Sequence, residues 1–232
     1  MTGAILIVAH GGLHLTKAAV RTAKEQDIPC DIMVIDNASQ DATFQWLKTK
    51  DVIITSYREQ LSLAACWNRG LKAFFHAGHD RVLVINNDVE LLPFTCGALA
   101  DTNLPFVTAV GVDKREQMNV IEQDSYLETA RPHPDFSCFM ISKEVTEKVG
   151  WFNESYYPAY AEDCEYHVRM HKAGVEAVCI SLPFLHVGCG SLKNANPAEC
   201  NAIRRGADAN RERFKKQFGC CPGSKEYESL FV

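Results

Sequence analysis

The stretch RVLVINNDVELLP, residues 81–93, decides how the rest of the chain is read. Val82 to Ile85 are apolar without alternation, the mark of a strand covered on both faces, and such strands belong to parallel sheets. The run stops on Asn86, Asn87 and Asp88. Two explanations compete for that ending. Asn and Asp favour turns through local side-chain hydrogen bonds. Open α/β sheets also bind their ligands at the carboxyl ends of strands. The stretch alone leaves both open.

Similar apolar runs occur at residues 5–8, 32–35, 52–55, 106–110, 139–141 and 175–180. Helix-like segments fill 16–26, 42–49 and 62–77, and Ser39, Asp41 and Ser62 are their candidate start signals. This alternation predicts βαβ units, hence an α/β fold with a mostly parallel central sheet flanked by helices. The chain is less regular after Leu104, and residues 196–218 are polar enough to predict a helix lying on the surface. No Pro-, Gly- or Ser-rich linker interrupts it. One domain is expected over 1–232, with a first half at 1–103, a second at 104–195 and a helical tail at 196–232.

With 232 residues and a net charge of −5, the chain has the composition of an ordinary globule and no electrostatic footprint for nucleic acid. No apolar run approaches the roughly 20 residues that span a bilayer. The start, MTGAILIVAHGG, lacks the basic region of a secretory signal, so a cytoplasmic protein is expected. Ten cysteines occur without a Cys-x-x-Cys spacing. Several lie in apolar runs, as Cys138 and Cys179 do, and reduced core thiols are the expectation. Neither a P-loop nor a G-x-G-x-x-G follows the first strand, which disfavours P-loop enzymes and dinucleotide-dependent dehydrogenases.

Three further clusters carry chemistry. Asp36 and Asn37 follow the second buried run, before the Ser39 and Asp41 helix signals, so a second strand delivers an acid to the edge where Asp88 stands. In YYPAYAEDCEYHVRMHKAG, residues 156–174, Glu162 and Asp163 open a helix after an aromatic loop. Acidic first turns are common because the helix dipole favours them; two adjacent acids also suit a general base. His186 follows the last apolar run, and with Asp88 it offers an oxygen and a nitrogen donor for a divalent ion.

These segments together resemble family 2 glycosyltransferases of the GT-A, Rossmann-like fold, in particular the rhamnosyltransferase-like branch, from Ile5 to about Ser191. VIDNASQDAT, LSLAACWNRGLKAFFHAGHDRVLVINNDVELLP and CFMISKEVTEKVGWFNESYYPAYAEDCEYHVRMHKAG are similar to that family's segments in order and spacing. The resemblance implies a donor site in which Asp36 binds the base. Ala9, His10, Asn37, Arg58, Asn68 and Asn87 would complete the nucleotide-binding set. Asp88 and His186 would hold Mn²⁺ or Mg²⁺ on the diphosphate. Asp163, kept ionised at its helix start, would be the base, with Glu162 beside it. The chain departs from the family pattern at AHGGLHL after the first strand, at Asn86 where an acid is usual, and at Leu61 where a glycine is usual.

The implied reaction is inverting transfer of a sugar from a nucleotide-diphosphate sugar, UDP- or dTDP-linked, to a hydroxyl acceptor. That acceptor is a glycan, a protein or a modified DNA base. A sugar nucleotidyltransferase would need a G-x-G-x-R first loop, which AHGGLHLTK supplies in part. A binding module without turnover would not need both Asp88 and Asp163. Donor sugar, linkage and oligomeric state have no signature in the residues.

Overall fold

The computed structural model describes residues 2–119, 126–130, 133–188 and 197–231. Strand β1 (Gly3–Ala9) leads to α1 (Leu13–Lys24), β2 (Cys30–Asn37), α2 (Thr43–Leu47), β3 (Ile53–Tyr57), α3 (Leu63–His76) and β4 (Arg81–Asn86). The second part holds β5 (Val89–Glu90), α4 (Thr95–Asp101), β6 (Phe106–Val112), β7 (Glu128–Ala130), β8 (Cys138–Ser142), α5 (Lys143–Val149), α6 (Glu162–Lys172) and β9 (Val178–His186). The helices α7 (Pro197–Phe218) and α8 (Lys225–Glu228) follow.

One sheet runs in the order β3-β2-β1-β4-β8-β6-β9-β5, with β7 also paired to β9. Its pairings make β1, β2, β3, β4, β6 and β9 run one way and β5, β7 and β8 the other. The expected mostly parallel sheet flanked by helices is therefore present. Register brings the strand ends level: Ala9 pairs with Asp36, Asp36 with Ser56, and Val8 with Asn86. Polar residues that end different strands thus meet along one edge.

The last strand is longer than the apolar run predicts, because it continues through Pro183 to His186. Proline removes a ladder donor and is tolerated in sheets mainly at irregularities. Here the β6–β9 register shifts between Thr108 and Val110, so Pro183 enters the ladder beyond a bulge. That extension carries His186 to the sheet edge.

Helices cover both faces. On one, α3 lies so close to β1 that a Cβ on Gly70 would stand 2.4 Å from Leu6 Cδ1. Trp67 packs there with Phe139 (5.4 Å between ring centroids) and Phe152 (5.0 Å), and Phe152 stacks on Tyr166 of α6 at 3.9 Å. Each fully buried large side chain contributes about 1.5–3 kcal/mol. On the other face, Ala19, Val20 and Ala23 of α1 and Cys96 and Leu99 of α4 meet Ile5, Ile7, Val107 and Ala109. Cys138 and Cys179 sit in the core, and the described cysteines are free thiols.

Helix α7 lies on the surface, held by a narrow buried stripe. Ile203, Ala207, Asn210 and Phe214 are buried, and Gly206 lies where a Cβ would stand 2.3 Å from Pro158 Cδ. Its buried stripe is short, three apolar positions and Asn210 among many charges. Among the described residues no helix is long and apolar enough to cross a membrane.

Candidate active site

The strand ends surround a cavity of about 640 Å³. One wall comes from Val8, His10, Asn37, Asn86, Asn87, Asp88 and His186. Its far wall comes from Asp135, Ser137, the 158–160 loop, Glu162, Asp163 and Ile203. Among the described lining residues are four carboxylates and three histidines, and no lysine or arginine.

At the first strand end, Gly11 (φ 68°) and Gly12 (φ 71°) take the left-handed turn into α1 that other residues adopt at a cost. The Gly11 N–H donates to Ser39 Oγ (2.8 Å) and the Leu13 N–H to Asp41 Oδ2 (2.9 Å). Asp41 Oδ1 accepts from Thr43 N–H at 3.0 Å, so Asp41 serves both helix starts, whereas Ser39, predicted as a helix signal, braces the glycine turn. Ala9 is fully buried in β1. His10 Nδ1–H donates to the Asn37 carbonyl at 2.6 Å, which fixes the ring beside the cavity.

Several expected nucleotide ligands are committed elsewhere. Asn37 donates through Nδ2 to the Leu61 carbonyl (3.0 Å) and accepts from the Leu61 N–H (2.8 Å), pinning the loop before α3. Asn87 Nδ2 donates to the Gly11 carbonyl (2.9 Å) and to Thr16 Oγ1 (3.0 Å). Asn68 is buried and lies outside the cavity lining. It donates to the Phe152 carbonyl (2.9 Å) and to Glu154 (2.8 Å), and accepts from the Phe152 N–H (2.9 Å). Arg58 is exposed and lies outside the cavity lining. The Asn-x-Gly of α3 is thus explained by packing: Asn68 ties the helix to the loop under α6, and Gly70 lets it approach β1.

Asp36 is 2 % exposed. Its Oδ2 accepts from Ser56 Oγ–H at 2.9 Å, and its Oδ1 has no partner. A buried acceptor left unmade costs about 1–3 kcal/mol, so this oxygen suits a ligand N–H. Asp36 lies behind Asn37, outside the cavity lining itself.

Asp88 and His186 meet across the β5–β9 pairing, where Val89 faces His186 and the Val187 N–H donates to the Asp88 carbonyl (3.0 Å). Asp88 Oδ1 lies 3.6 Å from His186 Nε2. Among the described residues no group of three or more His, Cys, Asp or Glu side chains is arranged to hold a metal. The pair supplies two donors of types that suit Mn²⁺ or Mg²⁺.

On the far wall Glu162 is 3 % exposed with Oε2 unpartnered. Burial, and then the neighbouring Asp163, push its carboxyl well above the ordinary range. Asp163 is half-buried at the cavity wall. Burial raises it too, with Asp135 adding to the shift, and the Cys164 N–H at 2.8 Å opposes it. The helix start therefore does not keep Asp163 at an ordinary carboxylate value; desolvation outweighs it. Behind these acids, Glu165 holds Arg169 at 2.8 and 2.9 Å, and Arg169 donates to the Val149 and Trp151 carbonyls.

Sequence reasoning missed Asp135, His133 and the end of the chain. Asp135 Oδ1 accepts from the Ser137 N–H at 2.8 Å, and its Oδ2 fills the place of a Gly111 side chain. Tyr227 OH stands 2.8 Å from His167 Nδ1, and His133 Nε2–H donates to Glu228 at 3.0 Å.

No protein-family profile matches the chain. A galactofuranosyl glycosyltransferase of Leishmania donovani is 34 % identical over 86 residues, an alignment covering 34 % of this chain and 20 % of that relative. The chain therefore spans about a fifth of the curated relative it matches. Among solved structures, S. aureus TarS 1–349 in complex with UDP superposes with a TM-score of 0.59 at 14 % identity, covering 100 % of this chain and 70 % of that one. The mannosyltransferase PcManGT from Pyrobaculum calidifontis, in complex with GDP-Man and Mn²⁺, gives 0.59 at 17 % identity, covering 98 % and 82 %. The fold is the GT-A type of these glycosyltransferases.

Proposed function

We propose that the chain is a glycosyltransferase that moves a sugar from a nucleotide-diphosphate sugar, UDP- or dTDP-linked, to a hydroxyl acceptor, with inversion and with a divalent ion. One observation carries the reading: the Asp88–His186 pair and the Glu162–Asp163 pair line a single cavity from opposite halves of the fold. Solved relatives of the same fold bind UDP, or GDP-Man with Mn²⁺.

The charge of the cavity supports the metal. A diphosphate entering among carboxylates, with no lysine or arginine in the described lining, would be repelled unless a cation accompanied it. Asp88 and His186 would hold that ion, which would neutralise the departing diphosphate. Asp36 would accept the base N–H on its unpartnered oxygen, and His10 would fix the adjoining edge of the nucleotide.

In the transfer the bond between the anomeric carbon and the phosphate oxygen breaks, and its electron pair leaves with the diphosphate. The acceptor oxygen forms the new bond from the opposite face, and its proton passes to Asp163. A base raised toward neutral pH takes that proton more readily than an ordinary carboxylate. Glu162, whose carboxyl is raised by burial and by Asp163, can hydrogen-bond the acceptor beside the base. A glycan is the acceptor best suited to this wall, since exposed Tyr157 and Tyr160 flank it and aromatic faces suit amphipathic sugar rings.

Calorimetric titration of UDP with and without Mn²⁺, followed by assay of UDP-sugar hydrolysis, tests the reading. Metal-enhanced binding and slow metal-dependent hydrolysis are expected. A protein that binds no nucleoside diphosphate in either condition would overturn it.

A further inference from the structure

Seven described side-chain polar atoms are buried without a partner, and two of them belong to residues that line the cavity: Trp67 Nε1 and Glu162 Oε2. Both side chains are almost wholly enclosed, Trp67 at 1 % and Glu162 at 3 % exposure. They are mechanically linked. Trp67 packs on Phe152, Phe152 stacks on Tyr166, and Tyr166 lies one turn beyond Glu162 on α6. The Leu63 N–H, one turn before Trp67, donates to the Pro158 carbonyl at 2.9 Å and joins the two walls again.

An indole N–H is a donor only, so its missing partner is an oxygen. Folding leaves such groups unmade rarely, because burial without a partner is costly. The ring packs on Phe136, Phe139 and Phe152, and the residue also lines the cavity.

We propose that Trp67 and Glu162 form an acceptor subsite for a vicinal diol of a sugar ring, binding the hydroxyl next to the one that Asp163 deprotonates. A sugar hydroxyl can accept from the indole N–H, and a sugar hydroxyl can donate to the Glu162 carboxyl, so that each unpartnered atom gains a partner. Asp163 is the next residue along the helix and lines the same cavity. An isolated hydroxyl, such as a serine side chain, can meet Asp163 or the subsite but not both. The subsite rests on the glycosyltransferase reading for its role, not for its existence.

The three tryptophans, Trp46, Trp67 and Trp151, make the test direct. In ¹⁵N-labelled protein each gives an indole N–H signal, and Trp67→Phe assigns one of them. Titration with methyl glucoside, galactoside and mannoside should move the Trp67 signal to saturation with at least one sugar and leave the other two in place. 2-Propanol and N-acetylserine amide should not move it. Glu162→Ala, which removes both carboxyl oxygens, should weaken the same titration about tenfold, the effect of one lost hydrogen bond to a buried group. If Trp67→Phe fails to fold, selective line changes on Glu162→Ala supply the assignment. No shift with any of the three glycosides overturns the subsite, as does an equal shift with the single-hydroxyl compounds. UDP titration in the same samples reads the donor end separately: sugar binding without nucleotide binding would overturn the transferase reading and leave the subsite standing.

Discussion

Asp88 Oδ1 and His186 Nε2 lie 3.6 Å apart because a strand of two residues, Val89–Glu90, pairs with the end of the last strand. Two anchors hold so short a strand. Asn87 is tied to Gly11 and Thr16. Glu90 is gripped by Arg21 at 2.8 Å and Arg115 at 2.5 Å. The pair is therefore preorganised before any ligand arrives.

If that pair holds a divalent ion, Asp88→Asn should remove most of the Mn²⁺ enhancement of UDP binding, and His186→Ala should reduce it. Neither change should lower the melting temperature of the ligand-free protein appreciably, since His186 is partly exposed and its strand is held by backbone pairing. Calorimetry with and without Mn²⁺, beside a thermal melt, checks both. Equal metal enhancement in Asp88→Asn would defeat the assignment.

Asp163→Asn should cost roughly 10²–10⁴-fold in transfer or donor hydrolysis while leaving nucleotide affinity unchanged. Its raised carboxyl also sets a pH limb. Activity falls as pH drops through the folded value, so the limb should lie above the ordinary Asp range of about 4. Asp163 is faced by Glu162 and Cys164 on its own helix, by Asp135 from the strand start and by Tyr227 from the chain end. Asp135→Asn removes a like charge and should move the limb to lower pH. A limb that stays in place would remove Asp135 from this role.

His167 gives a stability window. Burial pushes it down to about 4 from 6.5, with His171 and His133 adding to the shift. The unfolded chain then binds the proton more readily than the folded one. Stability is full above about 6.5 and is lost as pH falls toward 4. Thermal melts across that range should show a slope that His167→Gln flattens. An unchanged slope would mean that other groups dominate it.

Gly70→Ala sets helix propensity against packing. Alanine gains about 1 kcal/mol in a helix interior. Its Cβ, however, would stand 2.4 Å from Leu6 Cδ1, in a core where Leu6 is fully buried. Overpacking typically costs about 1–3 kcal/mol, so a net loss is expected in denaturant melts. A stabilised variant would show that Leu6 can yield.

The first half of the sheet was legible because its strands are unbroken apolar runs separated by helices with start signals. The acids at the ends of β2 and near the end of β4 stand out for the same reason. The structural bonds of Asn37, Asn68 and Asn87 were not legible, since an amide that pins a neighbouring loop has the same letter as one that binds a base. Asp135 and Tyr227 were invisible: each reaches the site through a fold-level contact, with no local periodicity to announce it. The Pro183 break hid the route by which His186 arrives.

Asn210 joins the tail to the site. Its Nδ2 donates to the Ala159 carbonyl at 2.9 Å and the Tyr157 carbonyl at 3.3 Å, from a position 2 % exposed. The loop it grips ends with Tyr160 at φ 80° and Ala161 at φ 70°, both left-handed and neither a glycine. Such residues cost of order 1–3 kcal/mol each and persist only where their surroundings hold them. Glu162 and Asp163 follow at once, so their aim depends on that loop. Asn210→Asp keeps the shape but replaces the two N–H donors by acceptors facing carbonyls. It should speed hydrogen exchange across residues 157–165 and lower turnover by about 10²-fold, the cost of a misplacement near 1 Å, with UDP affinity intact. A role in packing alone predicts wild-type exchange and turnover, and that result would release the loop from Asn210's control.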